Sequence, residues 1–487
     1  MSTPTLSRHF GLLQATALNV TMIVGAGVFI TIPIMLGQLP GPYVILGWVV
    51  AGAVMLCDSL IWGELGAALP GSGGSYLYLL ECYGRSKWGR LMAFLFIWQF
   101  MLSGPLEVGS GLIAISQFST GISPAFKQFN EAHTWKYVFS ASSGLGITLD
   151  PSRLVGLAAG CLILILLRRK ISSLGKLTVT IWLGVLLVIS WIVLEGVPRF
   201  NFHNAMGAAG AADQLPDNFL AKLGSCMRLA MYSYLGYFGV CYIGDEIRDP
   251  ARTIPRSILL SAILVTLLFV TVHLALLGVV GWQNVPLKDE NYSLPAAFMD
   301  SIYGPGSIAT LLISLCLIWT CFGSAFAGVF GYSRIPYGAA RYGHFFSIFG
   351  RVHPTLNIPD MSLYLVGGMT LLWSLFDLST VIDVLIVTRI LEQFIAQGIG
   401  VMILRRTQPN RPRPFRIWFY PLPCLLALIG WTFMYVTADL VFIALGLGTL
   451  VLGAVAFFIW AWTKGDWPFG EAVEEPAGAV PNLGDVV

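Results

Sequence analysis

The sequence predicts an all-α, multi-pass membrane protein of about twelve spans. Three observations predict it. Of 487 residues, 56% are hydrophobic and only 11% charged, against about a quarter charged in an ordinary soluble domain, and mean hydropathy is +0.76. Apolar runs long enough to span a bilayer recur along the chain. Basic residues collect in alternate loops. The net charge of +3 gives no reason to expect a nucleic-acid partner. The eight cysteines are scattered, without a CxxC pair, so neither a zinc site nor a disulfide framework is indicated. No cofactor and no metal are expected.

In chain order, residues 1–9 form a short N-terminal segment without the pattern of a cleaved signal peptide. The predicted spans run over 10–38, 42–66, 90–118, 153–168, 173–197, 221–245, 257–281, 307–334, 361–379, 381–404, 417–436 and 438–462. The loops after even-numbered spans hold most of the arginines and lysines, for example Arg85, Lys87 and Arg90, or Arg405, Arg406, Arg411, Arg413 and Arg416. The opposite loops, 119–152 and 282–306, are long and poor in them. The positive-inside rule then puts both termini in the cytoplasm. The acidic tail, 463–487, reads as disordered.

The first run is the most informative. About 30 apolar residues are long for one straight span. Its centre, Ile23-Val24-Gly25-Ala26-Gly27-Val28-Phe29, has two glycines, followed by Pro33. These residues weaken a helix where it should be strongest, and broken backbone at membrane depth persists only where it is buried or lines a cavity. Close helix packing is the alternative reading. The sixth run repeats the signal, with Tyr232, Ser233, Tyr234, Leu235, Gly236, Tyr237, Phe238 and Gly239 in an apolar context. Gly236 lies 211 positions after Gly25, close to half of the membrane portion. Paired interrupted helices at matching positions of two halves point to a transporter binding site.

Charges inside the runs are the next signal. Glu107 in the third run must face a cavity or a partner. Ser103, Gly104, Ser110 and Gly111 share its face, and an ion pair with Arg228 or Arg389 is the structural alternative. Arg389 and Glu392, at i and i+3, are expected to pair with each other, with gating or coupling as a second role. His273 reads as a hydrogen-bonded core residue rather than a proton carrier. The glycine-rich loop at Pro70–Tyr76 follows a span rather than a strand and reads as a turn, not a phosphate cradle.

Three motifs, taken together, resemble a known family. Gly25-Ala26-Gly27-Val28-Phe29 fits G-x-G-[IV]-F. Glu64 to Pro70, then Gly73-Gly74 and Tyr76, fit E-L-x-x-x-x-P-x-x-G-G-x-Y. Gly236, then Asp245 through Pro255, fit a sixth helix and its N-P-x-R-x-I-P exit, with Asp249 in place of Asn. Ser333-Arg334 and Ala340 to Gly343 resemble the end of an eighth helix. Over about residues 8–460 the chain resembles an amino acid permease of the amino acid–polyamine–organocation (APC) superfamily.

The resemblance implies a leucine-transporter-type fold. Ten core helices over 10–404 would form two inverted halves, about 10–197 and 221–404, with helices 1 and 6 broken and two added helices over 405–462. It implies that the amides of Ala26 and Gly27 hold a substrate carboxylate, beside Gly25, and that the carbonyls of Ile23, Tyr232 and Leu235 hold its ammonium. Tyr232 matches a gate, Ser233 and Gly236 belong to the same broken segment, and Phe326 is the expected pocket wall from the eighth span. Glu107 falls where relatives line the side-chain pocket, and its Ser-Gly-x-x-Glu setting leans towards a cationic substrate. Two features depart from the family: Phe238 stands where some relatives have an acidic residue, and no lysine lies between Thr178 and Ser190.

The expected function is therefore secondary transport, as symporter or antiporter, of cationic or neutral amino acids across the plasma or inner membrane. The partners are a small-molecule substrate, the lipid bilayer, and a coupling proton or exchange substrate. One alternative is a polyamine or organic amine transporter using Glu107; another, of a different class, is a non-transporting membrane receptor. No H-E-x-x-H or G-x-S-x-G motif supports an enzyme.

Overall fold

The computed structural model describes residues 10–25, 27–71, 73–85, 88–140, 145–168, 174–207, 217–287, 292–353, 358–465 and 468. The predicted tail lies almost wholly outside these residues. The helices in order are α1 Leu12–Ile23, α2 Gly27–Gln38, α3 Val44–Ala68, α4 Ser75–Cys82, α5 Trp88–Thr120, α6 Pro124–Ala132, α7 Pro151–Leu167, α8 Leu174–Gly196, α9 Phe202–Met206 and α10 Phe219–Tyr234. They continue with α11 Pro250–Val280, α12 Leu294–Tyr303, α13 Ile308–Tyr332, α14 Arg334–Arg341, α15 Asp360–Trp373, α16 Leu378–Arg389, α17 Ala396–Thr407, α18 Leu422–Val436 and α19 Leu440–Thr463.

Among the described residues, five helical stretches are long and apolar enough to cross a membrane: Gly41–Ala68, Trp88–Thr120, Pro250–Val280, Ile308–Arg341 and Leu440–Thr463. The pair α1 and α2, bent by 44°, makes a sixth. Of the other predicted runs, the fifth is a single helix, Leu174–Gly196, and the rest are helical but short or interrupted. The sixth run stops at Tyr234 and resumes as a 3-10 segment over Gly239–Glu246. The tenth is divided by a π-helical turn, Ile390–Ile395, between α16 and α17. The chain is thus an all-α multi-pass membrane protein in its main body.

α5 is the central mast. It is buried along most of its length and packs against α13, α16, α15, α4, α7 and α19. A second group forms around α3, which packs on α11, α10 and α18. Lipid is as apolar as leucine, so these contacts rest on close packing rather than on exclusion of water. Where α3 meets α10, a side chain at Gly47 would sit 2.8 Å from Cys226 Cβ.

One element goes beyond an all-helical reading. β1, Trp135–Ser140, and β2, Leu145–Leu149, pair antiparallel, with Trp135 opposite Leu149 and Tyr137 opposite Ile147. Their aromatic and β-branched residues suit strands. Thr148 anchors the hairpin, its N–H donating to the Leu375 carbonyl at 2.9 Å and its hydroxyl to Asp377 at 2.8 Å. Lys136 reaches Asp377 at 2.9 Å.

The sequence motifs meet in three dimensions. Glu64, 1% exposed, pairs with Arg405, lies 3.6 Å from Arg413 and accepts the Ile417 N–H at 2.8 Å. The Pro70–Tyr76 turn leads into α4, where Ser75 donates to Gln397 at 2.7 Å. Tyr76 is hydrogen-bonded to His344, just beyond the Ala340–Gly343 motif. His273 is a buried core residue, as expected, accepting from Trp48 Nε1 at 3.3 Å.

Burial, aided by Arg90 and Arg85, pushes the His344 imidazole down to about 4. Unfolded, it would bind a proton near pH 6.5, so between pH 6.5 and 4 the unfolded chain holds more protons. The contribution of neutral His344 to stability is complete above pH 6.5 and is lost as the pH falls towards 4. At pH 5 the loss is about 2 kcal/mol. The drop in melting temperature of purified protein between pH 7.5 and 5 is expected to be smaller in His344→Gln.

Candidate functional site

The site is built where α1 and α10 stop. α1 ends at Ile23, with Val24 N–H bonded to the Val20 carbonyl at 2.8 Å and Gly25 N–H to the Ile23 carbonyl at 3.0 Å. α2 restarts at Gly27. Ala26 lies outside the described residues. The end of α1 presents carbonyl oxygens and the start of α2 presents N–H groups, so partial charges of opposite sign face one small region.

The second interruption lies against the first. α10 ends at Tyr234, and Leu235 N–H returns to the Tyr232 carbonyl at 3.2 Å. Gly236 has φ +106°, and a side chain there would sit 2.9 Å from the Met22 carbonyl carbon and 3.1 Å from the Ile23 nitrogen. Glycine alone allows this left-handed turn to abut the end of α1. Asn19, fully buried on α1, accepts the Val240 N–H at 2.9 Å. Thr31 and Ser233 hydroxyls share a hydrogen bond of 3.1 Å, and a side chain at Gly27 would approach Ser233 Cα to 3.1 Å.

Between them lies a cavity of about 60 Å³ lined by Met22, Ile23, Gly25, Gly27, Glu107, Ser110, Gly111, Tyr232, Ser233, Leu235, Cys321 and Ser324. A water-sized site needs about 10–15 Å³ by the same measure, so it holds several waters or a small polar ligand. Ser110 and Tyr232 hydroxyls meet across it at 2.7 Å. Among the described residues no group of His, Cys, Asp or Glu has the arrangement of a metal site.

The structure thus brings together Ile23, Gly25, Gly27, Glu107, Tyr232, Ser233 and Leu235, with Gly236 directly behind. It does not bring Phe326 to the cavity. Phe326 is buried on α13, whose cavity face is Cys321 and Ser324. These two are three residues apart on one helix face, and Phe326, two residues after Ser324, points elsewhere.

Glu107 does not face the cavity as a free charge. Its Oε2 lies 2.6 Å from Arg389 Nη1. Arg389 is 2% exposed, donates from Nε to Ser103 at 3.1 Å and lies 5.3 Å from the Phe100 ring. The expected pairing of Arg389 with Glu392 is therefore not the one formed. The π-helical turn beginning at Ile390 takes Glu392 off the face it would have in a regular helix. Arg228 pairs with Asp383 at 2.7 Å instead.

Sequence reasoning missed Met22, Cys321 and Ser324, which carry no signal beyond helix phase. It also missed Asp58, a carboxylate inside the apolar run of α3 and 1% exposed. Asp58 carries the same signal as Glu107.

A polytopic helical bundle with a small polar cavity between two interrupted helices is an arrangement that membrane transport proteins use. The chain belongs to the family described as Amino acid permease, whose model matches residues 10–462. Relatives include the Cystine/glutamate transporter of Pongo abelii, 25% identical over 94% of this chain and 86% of that protein. The Serine/threonine exchanger SteT of Bacillus subtilis (strain 168) is 24% identical, covering 87% of this chain and 90% of that protein. The Branched-chain amino acid permease BcaP of the same organism is 24% identical over 94% and 93%.

Gly27→Leu would drive a side chain into the Ser233 backbone. It is expected to abolish substrate binding while leaving the protein in the membrane. Ligand-induced thermal stabilisation of the purified variant measures this, and wild-type stabilisation would remove the cavity from substrate binding.

Proposed function

We propose that this protein is a secondary active transporter that carries amino acids across the plasma or inner membrane by alternating access. The observation that carries this reading is the cavity at the junction of the two interrupted helices. A zwitterion needs donors for its carboxylate and acceptors for its ammonium, and helix ends at membrane depth supply both. In this reading the amides of Ala26 and Gly27 hold the carboxylate, and Gly25 allows its close approach. The carbonyls of Ile23, Tyr232 and Leu235 hold the ammonium. Those of Ile23 and Tyr232 each already accept one backbone hydrogen bond, and each has a second lone pair to offer. Tyr232, bonded to Ser110, is the gate. Twelve spans, with inverted halves over 10–197 and 221–404 and two further helices over 405–462, complete the architecture, with both termini in the cytoplasm. The two interruptions and the alternation of basic loops support it.

The substrate side chain would extend towards Glu107, Ser110 and Cys321. Glu107 is already neutralised by Arg389, which supports a neutral side chain over arginine or putrescine. A polyamine has no carboxylate and would have to displace Arg389 from Glu107. The relatives' names, which span serine/threonine, branched-chain and cystine/glutamate substrates, support an α-amino acid with side-chain selectivity set locally.

The test is uptake into proteoliposomes of labelled leucine, arginine, glutamate and putrescine, each with and without internal substrate. Leucine uptake exceeding that of arginine and putrescine is expected; uptake of putrescine alone would overturn the reading. Glu107→Gln frees Arg389 and is expected to raise glutamate uptake relative to leucine about tenfold, the size of one charge-assisted hydrogen bond. An unchanged ranking would remove the Glu107–Arg389 pair from specificity.

A further inference from the structure

Within the helix bundle, carboxylates divide into two kinds. Glu64 is held by Arg405 and Arg413, Glu107 by Arg389 and Asp383 by Arg228. Asp58 and Glu392, 1% and 3% exposed, make no ion pair among the described residues. An unpaired carboxylate anion in such a place is costly.

Asp58 differs from Glu392 in having a set of donors around it. Tyr237 donates its hydroxyl to Asp58 Oδ2. Trp62 and Trp431 bring their indole N–H groups beside the same carboxyl, and neither closes a hydrogen bond. One donor leaves the anion poorly solvated, whereas three would stabilise it. The protonation of Asp58 thus depends on how many of these groups close on it.

That number is tied to the irregular segments. Trp62 stacks on Phe238 at 4.4 Å, in the turn after α10. Trp431 stacks on Phe394 at 3.8 Å, in the π-helical turn. Phe238 and Phe394 themselves meet at 6.2 Å. Tyr237 and Leu235 belong to one turn, and Leu235 lines the cavity. A shift of that turn moves a donor of Asp58 and a wall of the cavity together.

The other titratable groups around Asp58 are these. Cys57 on its own helix and Cys424 on α18 lie near it. Tyr78 and Tyr242 meet Trp62 edge-on, at 5.8 Å and 6.4 Å. Cys241 lies against Gly66, further along α3, while Cys226 against Gly47, and Tyr234 and His273 at Trp48, mark its opposite end. On α17 and α10, Arg405 and Arg228 are held by Glu64 and Asp383. Tyr435, on α18, faces Glu392.

Building on the transporter reading above, we propose that Asp58 is the coupling-proton site. It takes up one proton from the outer solution in one conformation and releases it to the inner solution in the other, in step with the substrate. No other bond is made or broken.

The test uses full-length protein in proteoliposomes with an entrapped pH dye. Wild type is expected to show counterflow without a gradient, uptake stimulated by outside acid, and substrate-dependent internal acidification. Asp58→Asn is expected to keep counterflow within about twofold and to lose both gradient stimulation and acidification. Tyr237→Phe, which removes one donor to the anion, is expected to keep coupling with its pH midpoint raised. Wild-type counterflow indifferent to a pH gradient, or gradient stimulation retained by Asp58→Asn, would overturn the proposal and leave the transporter reading standing. If Asp58→Asn also loses counterflow, Tyr237→Phe decides, and an unmoved midpoint overturns the proposal. Absence of wild-type counterflow with every member of the panel would instead overturn the transporter reading.

Discussion

A helix that stops inside a membrane leaves backbone N–H and C=O groups with no water to bond. This constraint shapes the centre of the molecule. The two interruptions satisfy each other: Asn19 on α1 takes the Val240 N–H from the far side of the second break, and Gly236 lets that break lie directly on Met22 and Ile23. Together the two breaks enclose the cavity, with Ile23, Gly25 and Gly27 from the first and Tyr232, Ser233 and Leu235 from the second on its wall.

Much of this was legible in the sequence because it depends on local chemistry. Gly25, Gly27 and Gly236 announce weak helix wherever they stand in an apolar run, and both breaks fall where they predict. The charge at Glu107 announces a need for a partner. Its partner, Arg389, is 282 positions away, and no local rule selects it over Arg228. Phe326 was expected at the cavity from the family resemblance alone, but the phase of α13 gives that place to Cys321 and Ser324. The hairpin at 135–149 has the alternation of strands, yet it is short and lies in a loop where the strongest signal was the lack of basic residues. The π-helical turn has no glycine or proline to mark it.

Two ion pairs, each with a buried arginine and a partly buried carboxylate, converge on α16. Asp383 joins it to α10 through Arg228, and Arg389 joins it to α5 through Glu107. Removing either carboxylate would strand a buried guanidinium. Their geometry therefore holds α16 to the interrupted helix on one side and to the cavity wall on the other. Arg228 also donates to the Met434 carbonyl at 3.1 Å, which extends this connection to α18.

The hairpin gives α16 a mechanical character. Lys136 and Thr148 both hold Asp377, the residue that begins α16, and the strand edge is bonded to Leu375. The opposite end of α16 runs into the π-helical turn, where the backbone is least regular. The helix is thus clamped across the bundle: the hairpin grips its N-terminal end and the Glu107–Arg389 pair its C-terminal end, just before the irregular turn.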